Sequence, residues 1–466
     1  MIPFESFSYP FFDLSYAADH AAVAGAFHST PDPKQRGLKG LYVHIPFCDD
    51  ICSFCPFVKS VGNPERIKDY LAALVVELRT LGATPRIKAW ELDAVYIGGG
   101  TPSVLSVDQI ATLFAAIREN FQIKPDAEIS FEFEAKSIDE EKLAALAQLG
   151  ATRVSFGVQT FDPPTREMIN ITASLDQVHA AIAASVKHFT NTNLDIMVGF
   201  PGQSLEDAVQ DATLAATSGI GSVSIYPVDY MMTLPQWQQR IRSGELPRPA
   251  PLAERDSMFH TARAELLRHM SEQNMYCVGA PDAPPTRYMF SLLYGGYHDE
   301  CVGVGAGAYS FIKGLAYMNE PNERRYVKQA GSGVLPVVGS SPGHAYEKGL
   351  VFFPKRLSFH MPDLEELGLA TVYQDRISSV VDKGLAVVDG DTLRLTAAGH
   401  PLYSELMVHF MSDTQRRIYE LMCQRLREQV GVIDDADWSA GAARVKQMGA
   451  FNAMGEAPAA RVPVLA

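Results

Sequence analysis

Three cysteines with the spacing Cys48-x3-Cys52-x2-Cys55 directly follow the apolar run Leu41-Tyr42-Val43-His44-Ile45-Pro46-Phe47. Three thiols therefore sit on a loop at the end of a buried strand, and the fold must deliver them to one place. A [4Fe–4S] cube takes four Cys thiolates, so three at this spacing leave one iron open to a ligand that is not protein. Two other readings compete. Tetrahedral zinc wants a fourth Cys or His near C-x2–4-C spacing, and neither His44 nor the distant Cys277 supplies the usual second pair. Disulfides fit no better, because six cysteines in 466 residues is sparse. With no secretory leader evident ahead of them, the sequence reads as that of a protein in a reducing cytoplasm, where clustered Cys means metal or catalysis.

From residue 41 to about 230, short β-rich apolar runs alternate with amphipathic stretches, the pattern of a parallel sheet covered by helices. The runs predict six strands, over 41–45, 94–97, 128–133, 153–158, 193–198 and 222–228. Helices are predicted over 64–81, 107–121, 140–149, 175–189 and 205–218. Six such units make an α/β fold, a partial (β/α)6 TIM-type barrel, whose active site lies at the C-terminal strand ends. The cysteine loop falls there.

Outside the barrel the signals are weaker. Residues 1–40 read as an N-terminal extension whose Phe4, Phe7, Tyr9, Phe11 and Phe12 anchor it to the barrel, followed by the polar stretch 29–33. Residues 41–240 hold the barrel and 241–345 flank it. A small winged-helix-like domain is expected within 346–425, from helices at 364–369 and 372–383 and a hairpin around 391–396. Residues 426–466 should form a helical segment and, from Gly455, a disordered Ala- and Pro-rich tail. No apolar stretch approaches the roughly 20 residues of a membrane span, and the mean hydropathy is -0.02. A net charge of -14 opposes wholesale nucleic-acid binding, which needs cationic contacts with phosphates.

Gly98-Gly99-Gly100-Thr101-Pro102 follows the second strand, where missing Cβ atoms let backbone approach a ligand. Glu132, Arg153, Gln159 and Asp195 stand in otherwise apolar runs on strands three to five. Buried charges are rare unless paired or liganded, and four polar residues on successive inner strands point to a polar cofactor. Phe54 precedes the third cysteine, as a core residue or a cofactor contact.

These residues resemble the radical S-adenosylmethionine (radical SAM) enzymes. The stretch from Tyr42 to Cys48, the glycine motif, Arg153-Val154-Ser155-Phe156-Gly157-Val158-Gln159 and Asp195-Ile196-Met197-Val198-Gly199-Phe200-Pro201-Gly202 are together similar to the HemN-like branch. So is Cys301-Val302-Gly303-Val304-Gly305-Ala306-Gly307-Ala308-Tyr309-Ser310, which resembles the glycine-rich segment before that branch's C-terminal domain. The resemblance implies a [4Fe–4S] cluster on Cys48, Cys52 and Cys55, and SAM held by Gly99, Gly100, Thr101, Glu132, Gln159 and Asp195. Phe54 would pack near the adenine, and Tyr42 is the family tyrosine near the cluster. In several members a second SAM sits beside the first, so one or two molecules are expected.

The implied activity is SAM cleavage followed by functionalisation of a carbon centre in a small-molecule substrate, by HemN-like methyl transfer or cyclopropanation. The electron donor would be a protein of flavodoxin or ferredoxin type. Oxygen-independent oxidative decarboxylation of coproporphyrinogen III is an alternative activity, and haem chaperoning is a non-enzymatic one. Three departures weigh on the choice. Where the porphyrinogen dehydrogenases carry a further cysteine, this chain has Pro56-Phe57-Val58-Lys59; the turn after strand three reads Glu132-Phe133-Glu134-Ala135; and the arginine expected near a SAM carboxylate falls on Ile171, leaving Arg153 or Lys136 to compensate. No Cys or His pair is placed for axial haem ligation, and His298 and His344 are lone histidines.

Overall fold

The structure, a computed structural model, describes residues 18–30, 36–230, 233–288, 292, 295–296, 298–342, 348–413, 415–416 and 419. The aromatic cluster of residues 4–12, His344 and the expected tail lie outside the described residues.

Strand Lys39–Ile45 (β1) leads into Phe47–Cys48 (β2), and Ser60–Val61 (β3) pairs with β2 across the cysteine loop. Then come Glu91–Gly99 (β4), Gln122–Phe133 (β5), Arg153–Gln159 (β6), Asn191–Val198 (β7) and Ser222–Pro227 (β8). Strands β1, β4, β5, β6, β7 and β8 are neighbours in that order and all parallel. Helices Pro64–Gly82, Val107–Asn120, Glu140–Gln148, Leu175–His188 and Leu205–Thr217 connect them. Each starts where a polar side chain caps the first turn: Asn63, Ser106, Asp139, Ser174 and Ser204 accept from backbone N–H groups. At Ser106, Ser174 and Ser204 the N3 side chain reaches back to complete a capping box. This is the partial (β/α)6 barrel that the alternating runs predict.

The sheet does not stop at six strands. Ser271–Glu272 (β9) and Cys277–Gly279 (β10) extend it beyond β8. Glu300–Val304 (β11), Tyr309–Ile312 (β12), Leu315–Asn319 (β13) and Val337–Pro342 (β14) extend it beyond β1, giving the order β14-β13-β12-β11-β1-β4-β5-β6-β7-β8-β10-β9. β11 runs parallel to β1, with Lys39 opposite Glu300 and Val43 opposite Val304. The glycine-rich segment thus begins as a sheet strand and turns at Gly305, where φ is +101° and a Cβ would lie 2.5 Å from the His44 carbonyl oxygen. Only glycine fits there.

Farther along, Ser358–His360 (β15), Ala386–Asp389 (β16) and Thr392–Leu395 (β17) form a three-stranded sheet in the order β15-β17-β16. Helix Ala370–Asp382 contributes Tyr373, Ile377 and Val380 to the buried core, alongside Leu393 and Leu395. Only one short helix, Pro362–Glu366, stands where a helix over 364–369 is predicted. No helix among the described residues is long and apolar enough to cross a membrane.

Candidate functional site

Strand β1 buries Leu41, Val43 and Ile45 on one face and turns Tyr42 and His44 to the other. The chain leaves that strand through Phe47 and Cys48, both buried, and Cys52 and Cys55 follow, half-buried. All three thiols are free. Burial pushes the Cys48 thiol up to about 11, against a hydrogen bond to the Thr101 side chain, and the Cys52 thiol up to about 12. Cys55 adds to the rise at Cys48, and both Cys55 and Cys48 add to it at Cys52, so the three lie within electrostatic reach of one another. Without a metal Cys48 and Cys52 stay protonated at neutral pH, and loading one must release their protons.

The glycine motif is fastened to this loop. Gly100 N–H donates to the Ile45 carbonyl at 2.8 Å, and Thr101 N–H to the Phe47 carbonyl at 2.7 Å. A Cβ on Gly100 would lie 2.7 Å from the Phe47 oxygen and 3.0 Å from the Cys48 Sγ. Gly100→Ala is accordingly expected to cost about 1–3 kcal/mol, the usual range for overpacking, and to lower iron retention. Urea unfolding and iron assay of the variant would show it; unchanged values for both would mean the turn yields freely.

Gly99 N–H donates to Glu132 Oε2 at 3.1 Å, and Tyr96 Oη donates to Glu132 Oε1. Burial raises the Glu132 carboxyl to about 7, with Asp195 adding to the shift, and raises Asp195 to about 6. Asp195 is held by Asn193 Nδ2 at 2.8 Å. Gln159 ends β6 with φ at +67°, at an irregularity in its pairing with β7. The Phe54 ring packs edge-on against Phe200, 5.8 Å between centroids.

Tyr42 stands opposite Tyr96 in register, and its ring stacks near Tyr96 and Tyr288. Its hydroxyl bonds His44 Nδ1 at 2.9 Å, while His44 Nε2 lies 2.8 Å from the Val58 carbonyl. A carbonyl only accepts, so Nε2 carries the proton and Nδ1 accepts from tyrosine. Burial lowers His44 to about 4 and keeps it neutral.

A further set of contacts clamps the cysteine loop. Lys136 pairs with Asp50, and Thr172 Oγ1 bonds both Lys136 Nζ at 2.6 Å and Asp50 Oδ2 at 2.9 Å. Asn170 Nδ2 donates to the Ile51 carbonyl at 2.8 Å, and Ser53 N–H to the Ile169 carbonyl at 3.1 Å. Ile171 itself packs against the core. Lys136, raised in the sequence only as a compensating cation, is thus brought to the cysteine loop, whereas Arg153 opens β6 at the end opposite Gln159. Asp50, Thr172, Asn170 and Tyr96 escape sequence reasoning. Tyr96 alone had a signal, lying two residues before Gly98 on the same strand face.

Three free thiols on one loop, a glycine turn without Cβ atoms against Cys48, and carboxylates on the facing strands fit a cluster with one open iron and a cationic ligand beside it. Among the described residues no three His, Cys, Asp or Glu side chains converge as a single metal ion would require. A cube does not need that convergence, since its thiolates bind different irons.

The family model described as the Radical SAM superfamily matches residues 42–215. The heme chaperone HemW of Mycobacterium tuberculosis is 32% identical over 382 residues, covering 78% of this chain and 92% of that protein. The chain therefore belongs to the radical SAM superfamily, in its HemN-like branch. Anaerobilin synthase of Escherichia coli O157:H7 is 28% identical over 315 residues, covering 67% of this chain and 68% of the relative. The solved structure of coproporphyrinogen III oxidase (HemN) from Escherichia coli shares the fold, with a TM-score of 0.72 and 23% identity over 86% of this chain and 95% of that one. Membership implies a [4Fe–4S] cluster and SAM.

Proposed function

We propose that this protein cleaves SAM and functionalises a carbon centre of a small organic substrate, by methyl transfer or cyclopropanation of the HemN-like kind. The observation that carries the reading is the fastening of the three-thiol loop to a glycine turn whose N–H is held by Glu132. When bound, the cluster and SAM supply one-electron reductive cleavage of a carbon–sulfur bond, and with it hydrogen abstraction from unactivated carbon.

The chain's own residues bind and orient. Cys48, Cys52 and Cys55 would hold the cluster. Gly99, Gly100 and Thr101 would offer backbone to the methionyl end, Glu132 would accept from its ammonium, and Asp195 and Gln159 would meet the nucleoside. Phe54 would cover the adenine and Tyr42 would stay protonated beside the cluster, since burial raises its hydroxyl well above the ordinary value. A partner of flavodoxin or ferredoxin type would deliver the electron.

A second reading is favoured by the relatives, whose names concern haem or coproporphyrinogen. On it the protein decarboxylates coproporphyrinogen or carries haem. Phe57, 59% exposed, stands where the dehydrogenases carry their further cysteine, which weighs against decarboxylation.

Mass spectrometry of SAM-derived products from the reconstituted, dithionite-reduced protein separates these. Methyl transfer predicts 5′-deoxyadenosine together with S-adenosylhomocysteine once substrate is present. Coproporphyrinogen III releasing CO2 with 5′-deoxyadenosine alone would replace it with decarboxylation. Methylthioadenosine would mean a different bond is broken, and no product together with a Soret band on adding haem would indicate a carrier.

A further inference from the structure

Along β5 to β8, solvent reaches into the barrel at alternate positions. Glu132, Gly157, Asp195, Met197 and Tyr226 are partly exposed, while Phe133, Val158, Ile196 and Ile225 beside them are buried. Because side chains alternate between faces, the partly exposed set marks the part of the barrel's inner face that solvent reaches, toward the C-terminal strand ends beside the cysteine loop. Arg153 shares the face of Ser155 and Gly157 and lies below them, at the first position of β6.

Arg153 is 2% exposed, its Nη1 has no hydrogen-bond partner, and no ion pair to it is found among the described residues. Groups on four different strands act on its charge through space, Glu128 of β5 first, then Tyr96 of β4, Cys277 of β10 and Asp195 of β7. The nearby carboxylates are already served by other donors. Glu128 accepts from Ser130 Oγ at 2.9 Å, Thr286 Oγ1 at 2.8 Å and Arg287 N–H at 2.8 Å. Asp195 accepts from Asn193, and Glu132 from Tyr96 and Gly99. A buried cation left without a bonded partner is costly, and a guanidinium with a free N–H edge matches a carboxylate best.

We propose that Arg153 forms the floor of the substrate pocket and anchors a carboxylate of the organic substrate, whose remainder rises along Met197 and Tyr226 toward the cysteine loop. This rests on the proposed function only in taking the barrel interior as the substrate's place. It moves Arg153 away from the SAM-contacting set in which the sequence alone groups it.

The probe is 3-phenylpropionate, a slender carboxylate, compared with its uncharged twin 3-phenylpropionamide by equilibrium dialysis against the cluster-loaded protein. The acid should bind at least about tenfold more tightly than the amide; Arg153→Lys should keep the preference and Arg153→Gln should lose it. A tenfold preference corresponds to about 1.4 kcal/mol. Equal binding of acid and amide to wild type, including no binding of either, overturns the proposal and leaves water as the partner of Nη1. A preference that survives Arg153→Gln overturns it too. Should Arg153→Gln not fold, photolabelling of wild type by 4-azidobenzoate, mapped by mass spectrometry, decides: label on Met197 or Tyr226 that 3-phenylpropionate suppresses supports the floor assignment, and label confined elsewhere refutes it. Titration of wild type with SAM, followed by the cluster's EPR spectrum, is run alongside. Loss of that response would sink the radical SAM reading and leave the carboxylate result standing by itself.

Discussion

Cys52→Ala yields a folded protein that retains no stable cluster and forms no 5′-deoxyadenosine. The thiol is half-buried on a loop rather than in a strand, so its removal opens no large cavity. The loop keeps its anchors, because Ser53 N–H still meets the Ile169 carbonyl and Asn170 still holds the Ile51 carbonyl. What is lost is one of three thiolates, leaving two protein ligands where a cube normally has four. Iron content and absorbance near 400 nm should fall to background with an unaltered far-ultraviolet circular dichroism spectrum. Retained 5′-deoxyadenosine formation would defeat the assignment of the loop as the cluster site. Cys48→Ala is a poorer choice, since Cys48 is buried in β2 and its loss would mix packing with ligation.

SAM affinity should rise with pH between about 5.5 and 8. Its ammonium and sulfonium are cationic and favour ionised carboxylates. Burial holds Glu132 protonated up to about 7 and Asp195 up to about 6, so each is neutral below its own value and charged above it. Glu132, set to meet the ammonium, gives a limiting slope of about one tenfold change per pH unit below its pKa, so the dissociation constant at pH 5.5 should exceed that at pH 8 by at least about tenfold. The ligand-free protein behaves in the opposite sense. A carboxyl whose pKa is raised by folding favours the native state while protonated, and that contribution is lost as pH rises from the unfolded value through 6–7. SAM should therefore protect against thermal unfolding more at pH 8 than at pH 5.5. Glu132→Gln should flatten the profile above pH 6; a profile unchanged by that substitution would remove Glu132 from the site.

The six barrel strands and five helices were legible because each is a local pattern: an apolar run, then a Ser, Asp or Asn cap ahead of a helical period. Most strand ends shifted by a few residues, as where β4 runs from Glu91 to Gly99 rather than over 94–97, and the largest shift is at β5, which begins at Gln122 rather than 128. The extension of the sheet was not legible. Nothing in Cys301-Val302-Gly303-Val304 says that its partner is Lys39–Val43, because pairing at that separation leaves no periodic trace. At the site, cysteines and glycines declare themselves by spacing, whereas the Lys136–Asp50–Thr172 clamp joins surface-type residues from three loops. Arg153 was recognised as an inner-strand charge, but the sequence could not tell which end of the strand mattered.

The parallel pairing of β1 with β11 also orders events in time. A six-unit barrel alone would leave the cysteine-bearing strand as a bare edge, with its N–H and C=O groups open to any other chain. Here the covering strand is made 261 residues later, counting from Lys39 to Glu300. A nascent chain leaving the ribosome at about 5–20 residues per second thus carries its cysteine strand unshielded for roughly 13–50 seconds. Metal loading on a fully covered loop has to wait for that strand, and the interval before it is when the chain is most exposed to misassociation.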